Sequence, residues 1–432
     1  MHAALLSGAF PTVLRWCGVA ALAWLLLHTG RHKGYRPAPA ILVCAIAAVA
    51  ATELGAHLVR NVWRLFPDSL EPPIFAAVAL AVFALALIAN LAIGRRSVPY
   101  LIRIMVAAMI VVAADTNEIN LYFGAYPTLA DALGQETSTK IPFPALAATE
   151  ALAPDNHPVS ASWTPTSVLP VQGRLTSVRI PATRSGFTAR DAEIYLPPAY
   201  FATPRPRLPV LVLLAGQPGA PQDWLTAGGL VHTMDSFAAT HGGLAPITVV
   251  ADGTGGPFAN PLCLDSRLAN AATYLTADVP AWIRAHLTVD EHASAWAIGG
   301  LSYGGTCAVQ LATNYPTVYP TFLAFSADPE PRLGSRYETI VAAFAGNEHD
   351  YQQVNPTRLL QTSRYPGSAG AFVVGDRDRD GLSGARTLLQ ATRSAGMDTH
   401  YTELPGGHDW HVWSAALHRE LSWLATRLGL VP

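Results

Sequence analysis

The sequence predicts two structural classes in one chain: a bundle of about four transmembrane helices, followed by a doubly wound, mostly parallel α/β sheet. Three observations predict this. Hydrophobic residues make up 50% of the 432 positions and charged residues only 13%, whereas soluble domains carry about 25% charged residues. The apolar excess is concentrated before residue 115. Beyond residue 175, short β-branched runs alternate with longer amphipathic ones, the pattern of strands joined by helical crossovers.

Four apolar runs, 10–27, 38–59, 74–93 and 98–114, approach or exceed the roughly 20 helical residues that a bilayer core requires. The first is expected to be a span and not a secretory signal, because residues 1–11 lack Lys and Arg and no small-residue cleavage site follows Leu27. The few charges within the runs, Arg15, Glu53 and Arg103, stand towards their ends, so the plainer expectation is anchoring and not conduction. Short-loop basic residues set orientation. Arg31, Lys33 and Arg36 follow the first run, and Arg95 and Arg96 follow the third. Arg60 and Arg64 of the intervening loop are offset by Asp68 and Glu71, and no Lys or Arg follows the fourth run until Lys140. The first and third loops are therefore expected in the cytoplasm, with the large C-terminal part outside the cell membrane.

The expected organisation is a transmembrane helical module over 1–115, a connector over 116–168 and an α/β domain over 169–432. The connector is rich in proline (Pro127, Pro142, Pro144, Pro154, Pro158, Pro165) and carries an aromatic segment around Tyr122, Phe123 and Tyr126 suited to an interfacial anchor. Of the four cysteines, Cys17 and Cys44 fall inside apolar runs, while Cys263 and Cys307 fall in the outward-facing part, where an oxidising compartment permits a disulfide. A net charge of −2, with no basic stripe and no zinc-finger spacing, argues against nucleic acid as a partner. No cofactor or metal is expected.

Strands are expected at 175–180, 192–196, 209–214, 247–250, 294–298, 321–325, 371–374 and 399–404, and helices at 270–287, 303–314, 382–395 and 413–428, with Pro280 kinking the first of these. The strongest chemical signal is Gly300-Leu301-Ser302-Tyr303-Gly304 between a strand and a helix. G-x-S-x-G in that context is a sharp turn that exposes a nucleophilic serine at the head of the sheet. A serine hydroxyl needs a base, and the base needs a carboxylate to fix its tautomer. Of the histidines that follow, His408 in Gly406-Gly407-His408-Asp409-Trp410 stands just after the last expected strand, with His411 as its rival. Asp376, Asp378 and Asp380 compete for the acid after the preceding strand. Two backbone N–H groups should stabilise an oxyanion: that of Tyr303, and that of Gln217 in the loop after 209–214.

These residues resemble an esterase family of α/β-hydrolases that includes esterase D-like enzymes, feruloyl esterases and actinobacterial mycolyltransferases. The resemblance covers about 175–428. It is carried by Leu213-Leu214-Ala215-Gly216-Gln217, by Gly300-Leu301-Ser302-Tyr303-Gly304-Gly305, by the Gly375-x-x-Asp378 turn and, most specifically, by Gly407-His408-Asp409-Trp410-His411-Val412-Trp413. It implies the α/β-hydrolase fold and Asp378 as the triad acid. The acid is Glu in mycolyltransferases, so Asp leans towards the esterase side. Many members have His or Asp before the oxyanion glycine, where this chain has Ala215. Spans followed by such a domain, a variant of an Asn-x-Tyr-x-Gly-x-Tyr-Pro-Thr segment around Tyr122–Thr128, and paired cysteines near Cys263 and Cys307 resemble actinobacterial membrane-bound esterase-like proteins. The resemblance implies a membrane-anchored serine esterase acting on an ester or lipid-like small molecule. An acyltransferase that passes the acyl group to an envelope sugar or lipid alcohol is the alternative, and a non-catalytic binding module is a third reading.

Overall fold

The computed structural model describes residues 3–29, 37–63, 71–93, 97–135, 140–143, 158–166 and 168–432. Contacts divide the chain into two units, Met1–Thr137 and Ser138–Pro432.

The first unit contains helices α1 (Ala9–Thr29), α2 (Pro37–His57, continued by a π turn at Leu58–Val62), α3 (Pro72–Ala92) and α4 (Val98–Phe123). All four are long and apolar enough to cross a membrane; 21 residues of helix span about 31 Å. Their shared core is Ala21, Leu25, Cys44, Ala84, Leu87, Leu91, Ile104, Ala107, Ala108 and Val111. α1 and α4 approach closely at Gly18, where a Cβ would stand 2.6 Å from that of Ala114; small residues permit such backbone proximity.

α4 runs nine residues beyond the apolar run at 98–114, because its polar last turns find partners within the unit. Glu118 accepts two bonds of 2.7 Å from Arg15. Asn117 donates to the Leu5 carbonyl at 3.3 Å. Asn120 accepts from the Tyr126 N–H at 2.7 Å and donates to the Tyr126 carbonyl at 2.9 Å. Gly124, at φ 66°, closes the helix. The loop residues behind the orientation expectation, Arg31, Lys33, Arg36, Arg64, Asp68, Arg95 and Arg96, lie outside the described residues, as do Pro144 and Pro154.

The second unit is built on an eight-stranded sheet: β1 (Arg174–Val178), β2 (Ala192–Leu196), β3 (Val210–Leu214), β4 (Ile247–Ala251), β5 (Trp296–Leu301), β6 (Thr321–Phe325), β7 (Ala369–Gly375) and β8 (Asp398–Leu404). The order is β1-β2-β4-β3-β5-β6-β7-β8. β1 and β2 are antiparallel additions at one edge, and β3 to β8 run parallel. VLVLL in β3 and TFLAF in β6 are buried throughout, as strands covered on both faces must be. Helix Tyr303–Asn314 packs on β5 and β6, Arg379–Ser394 on β7 and β8, and Trp410–Arg427 on β6, β7 and β8.

Several element ends differ from expectation by a few residues, and two of the differences have a local cause. β5 begins at Trp296 because Ala293–Ala295 is a 3-10 turn, and it runs on through Gly300-Leu301 to the motif serine. The helix expected at 270–287 is three pieces: a turn at Ala271–Thr273, a π turn at Tyr274–Asp278 and a helix at Val279–His286. Pro280 has no N–H to offer the carbonyl four residues earlier, so the ladder changes register there. At the end of that π turn the Asp278 carboxylate accepts from the Arg184 and Ser185 N–H groups at 2.9 and 3.0 Å and from the Ser185 hydroxyl at 2.6 Å.

A disulfide joins Cys263, in the loop after β4, to Cys307 on helix Tyr303–Asn314, with a Cα–Cα distance of 5.5 Å and a sequence separation of 44. Closing a loop of that length restricts the unfolded chain by about 4 kcal/mol. Replacing both cysteines with alanine should lower the unfolding free energy of the full chain by roughly 3–4 kcal/mol in non-reducing urea titrations. A change under about 1 kcal/mol would show that the loop is already restrained when unfolded.

Candidate active site

Four loops meet at the carboxyl ends of parallel strands: those after β3, β5, β7 and β8, the edge where ligands meet such sheets. Ser302 follows β5 directly, at φ 52° and ψ −117°. Glycines on both sides make the turn possible. A Cβ at 300 would lie 2.5 Å from the Gly304 backbone, one at 304 would lie 2.5 Å from the Leu214 carbonyl oxygen, and one at 305 would lie 2.7 Å from the Phe325 oxygen. The Ser302 N–H donates to the Phe325 carbonyl at 2.8 Å, and its own carbonyl accepts from the Thr306 N–H at 2.9 Å. Ser302 thus stands half-buried at the N-terminus of helix Tyr303–Asn314, where the helix dipole favours negative charge.

His408 Nε2 lies 2.9 Å from Ser302 Oγ, and Nδ1 lies 2.8 Å from Asp378 Oδ2. An ionised carboxylate only accepts, so Nδ1 carries the proton and Nε2 is left as an acceptor for the serine hydroxyl. Asp378 is buried. It caps helix Arg379–Ser394, its Oδ1 accepting from the Gly381 N–H at 3.0 Å. Burial raises its proton affinity, but the hydrogen bond and charge of His408, the Gly381 N–H and the Ser326 hydroxyl together hold it below the ordinary carboxylate value.

The competing residues fall elsewhere. Asp376 is exposed and accepts from the Gly406 N–H at 3.0 Å, tying together the loops after β7 and β8. Asp380 is exposed in the first helical turn. His411, His418 and His349 are exposed. His400, on β8, pairs with the buried Glu420 at 2.7 Å.

The loop after β3 lies against the serine: a Cβ at Gly216 would stand 2.8 Å from Leu301 Cδ1 and 3.6 Å from Ser302 Cβ. Gln217 comes next, its side chain donating to the Phe258 carbonyl at 3.1 Å. Tyr303 is the first residue of its helix, so its N–H has no intrahelical acceptor. The Tyr303 hydroxyl donates to the Gly253 carbonyl at 3.0 Å and accepts from the Cys263 N–H at 3.1 Å; burial pushes its proton affinity up.

Three supporting residues were not singled out for these roles from sequence. Asp409 accepts from the Gly407 N–H at 2.7 Å and the Val412 N–H at 3.1 Å, capping helix Trp410–Arg427 and holding the turn that carries His408. An aspartate just ahead of a helical run is a readable signal for such a cap. Trp413 is buried as packing would have it, yet it also meets the His408 ring edge-on at 5.0 Å and donates to Ser326 Oγ at 3.1 Å. Ser326, at φ 49°, had no local signal. Trp224 and Trp410 pack edge-to-face at 5.4 Å.

A mostly parallel sheet with a serine on a strained strand–helix turn defines an α/β-hydrolase fold. The family described as "Putative esterase" matches residues 188–424, and the chain belongs to it. It is 37% identical over 399 residues to an uncharacterized protein of Corynebacterium glutamicum, with 90% of each chain covered. Among solved structures it is similar to a ferulic acid esterase (TM-score 0.51, 20% identity, 60% of this chain and 98% of that one). It is similar also to an S-formylglutathione hydrolase from Agrobacterium tumefaciens (TM-score 0.50, 17% identity, 62% and 99%). At those identities the likeness is one of fold.

The depressed carboxylates set an acid limit on stability. Asp252 is also held low: its burial is outweighed by the Arg190 hydrogen bonds and charge and by the Thr254 N–H. Each contribution is complete above the unfolded value of 3.8 and is lost as pH falls through the lower folded value. Urea unfolding free energy should therefore stay level in this respect from about pH 7 to about pH 4 and fall below that. Asp252→Asn should make the fall shallower; an identical acid slope in the variant would remove Asp252 from the account.

Proposed function

We propose that this protein is a membrane-anchored serine esterase that hydrolyses carboxylic esters through an acyl-enzyme. The observation that carries the reading is the unbroken line from Asp378 through His408 to Ser302, at 2.8 and 2.9 Å, on the strand ends of an esterase-family fold. Ser302 Oγ attacks the ester carbonyl carbon while its proton passes to His408 Nε2. Asp378 stabilises the imidazolium, and the Gln217 and Tyr303 N–H groups receive the oxyanion. The C–O bond to the alcohol then breaks, and the alcohol leaves with the His408 proton. Water attacks the acyl-enzyme, gives its proton to His408 and releases the acid, and Ser302 takes the proton back.

Residues 1–115 act as the anchor, 116–168 as the connector and 169–432 as the catalytic domain, which stands on the extracytoplasmic side. The basic residues of the first and third loops support that side, as does a disulfide between Cys263 and Cys307, a bond of oxidising compartments. The substrate is an ester or lipid-like small molecule. The anchor's long apolar helices also suit an acyltransferase, in which a membrane-borne alcohol replaces water.

Two measurements test this. Full-length protein in detergent should hydrolyse p-nitrophenyl esters and be labelled at Ser302 by a fluorophosphonate. Ser302→Ala should abolish labelling and lower kcat by at least about 10⁴-fold, and Asp378→Asn should lower it about 10³- to 10⁴-fold. A folded protein with neither turnover nor label would make the binding-module reading the leading one, and ester formation with an added long-chain alcohol would move the assignment to transfer. Separately, alkaline phosphatase fused after Pro432 should be active in cells and a fluorescent-protein fusion dark; the reverse would place the catalytic unit in the cytoplasm.

A further inference from the structure

Three loops of the second unit converge on one guanidinium outside the triad. Arg190 stands two residues before β2 and is about three-quarters buried, at 27% exposure. Its N–H donates to Asp252 Oδ2 at 2.7 Å, and Nε donates to the same oxygen at 3.0 Å. Nη2 donates to Asp252 Oδ1 at 2.8 Å and to Thr254 Oγ1 at 2.7 Å. Nη1 points elsewhere, to the carbonyl of Gly219 at 2.9 Å. Asp252 is buried and also receives the Thr254 and Gly255 N–H groups at 3.1 and 3.2 Å. The ion pair is therefore fixed from behind, and the free edge of the guanidinium grips the loop after β3.

That loop has no strand or helix of its own between Leu214 and Asp223. The Gly219 N–H donates to the Pro257 carbonyl at 3.2 Å, and its carbonyl is held by Arg190, so both backbone groups of Gly219 are tied. Its Cβ position lies 2.6 Å from the Gly216 oxygen. Fixing Gly219 therefore fixes the short turn through Gly216 and Gln217, and Gly216 is the residue that lies against Ser302.

We propose that Arg190 is a positioning residue for the oxyanion-binding loop: through the Gly219 carbonyl it sets the direction of the Gln217 N–H towards the tetrahedral intermediate. The proposal rests on the esterase reading above. Its physical basis is that an oxyanion donor helps only if its direction is set before the charge develops. A planar fork can hold Asp252 with one edge and Gly219 with the other, which a single ammonium cannot.

The test uses the full-length protein in detergent, with an ester substrate and an aryl trifluoromethyl ketone, which adds to the serine as a tetrahedral oxyanion. Arg190→Lys keeps the charge beside Asp252 and loses the bond to Gly219. It should lower kcat about 10- to 100-fold with KM within about threefold, and the ketone's Ki should rise by the same factor by which kcat/KM falls. Thr254→Val, which removes one acceptor from the guanidinium, should show the same pattern at a few-fold, and it decides the matter should Arg190→Lys not fold. A folded variant with unchanged kcat overturns the proposal. So does a fall in kcat with the ketone's affinity unchanged, since that would mark general loosening. If the unaltered protein neither turns over ester nor binds the ketone, the esterase reading itself fails and this inference fails with it; an active parent with unaffected variants sinks only the role of Arg190.

Discussion

The close approach of three backbone segments around Ser302 is the constraint on which the rest of the site depends. A serine at φ 52° and ψ −117° is in a sparsely populated region costing roughly 1–3 kcal/mol. Hydrogen bonds to Phe325 and Thr306 on either side hold it there, and β5 lies between β3 and β6 in a continuous parallel ladder. To leave that turn, the following helix must cross the ends of β3 and β6 at distances that exclude any side chain at 304 or 305. The same crossing brings the loop after β3 against the serine. The half-exposed position of Ser302, a helix N-terminus beside it and the loop after β3 against it thus follow from one steric arrangement.

The other two residues of the line are set by helix caps. After β7 the chain enters helix Arg379–Ser394 through Asp378, and after β8 it enters helix Trp410–Arg427 through Asp409. Each cap satisfies N–H groups that a helix start leaves without partners, and each also serves the site. Asp409 holds the turn that presents His408. Asp378 uses one oxygen for the cap and the other for the imidazole. Trp413, one turn into the second helix, closes the ring by touching His408 and bonding Ser326.

Much of this was legible because it is local. Continuous apolar runs mark β3, β4 and β6, and a glycine-rich strand–helix junction marks Ser302. Position after the final strand separates His408 from His418, which sits on a helix. The partner of His408 was not legible from the residues alone: Asp376, Asp378 and Asp380 share one charge run, and only the resemblance singled out Asp378. The structure separates them by burial and by the 2.8 Å contact with His408. What could not be read is what depends on distant pairing. Arg190 meets Asp252 across 62 residues, Trp413 meets Ser326 across 87, and the polar end of α4 is helical only because Arg15, Leu5 and Tyr126 take up its side chains. Hydropathy sees none of these partners. The π turn before Pro280 is intermediate: the break was visible, its form was not.

The double duty of Asp378 also accounts for an aspartate here and not a glutamate. A side chain that accepts from the N–H three residues on, as an N-cap does, must be short; Asp is among the best caps and Glu is not. The space is closed as well. A Cβ at Gly381 would lie 2.4 Å from Asp378 Oδ2 and 2.6 Å from Cγ, so the carboxylate rests on a backbone that must stay bare at 381. Were residue 378 a glutamate, either the helix would start later or the carboxylate would leave the Gly381 N–H, and His408 would face a carboxylate that lacks one of the bonds now fixing it. Asp378, Gly381 and the helix start at Arg379 therefore form one unit, tied together by a local rule of helix geometry.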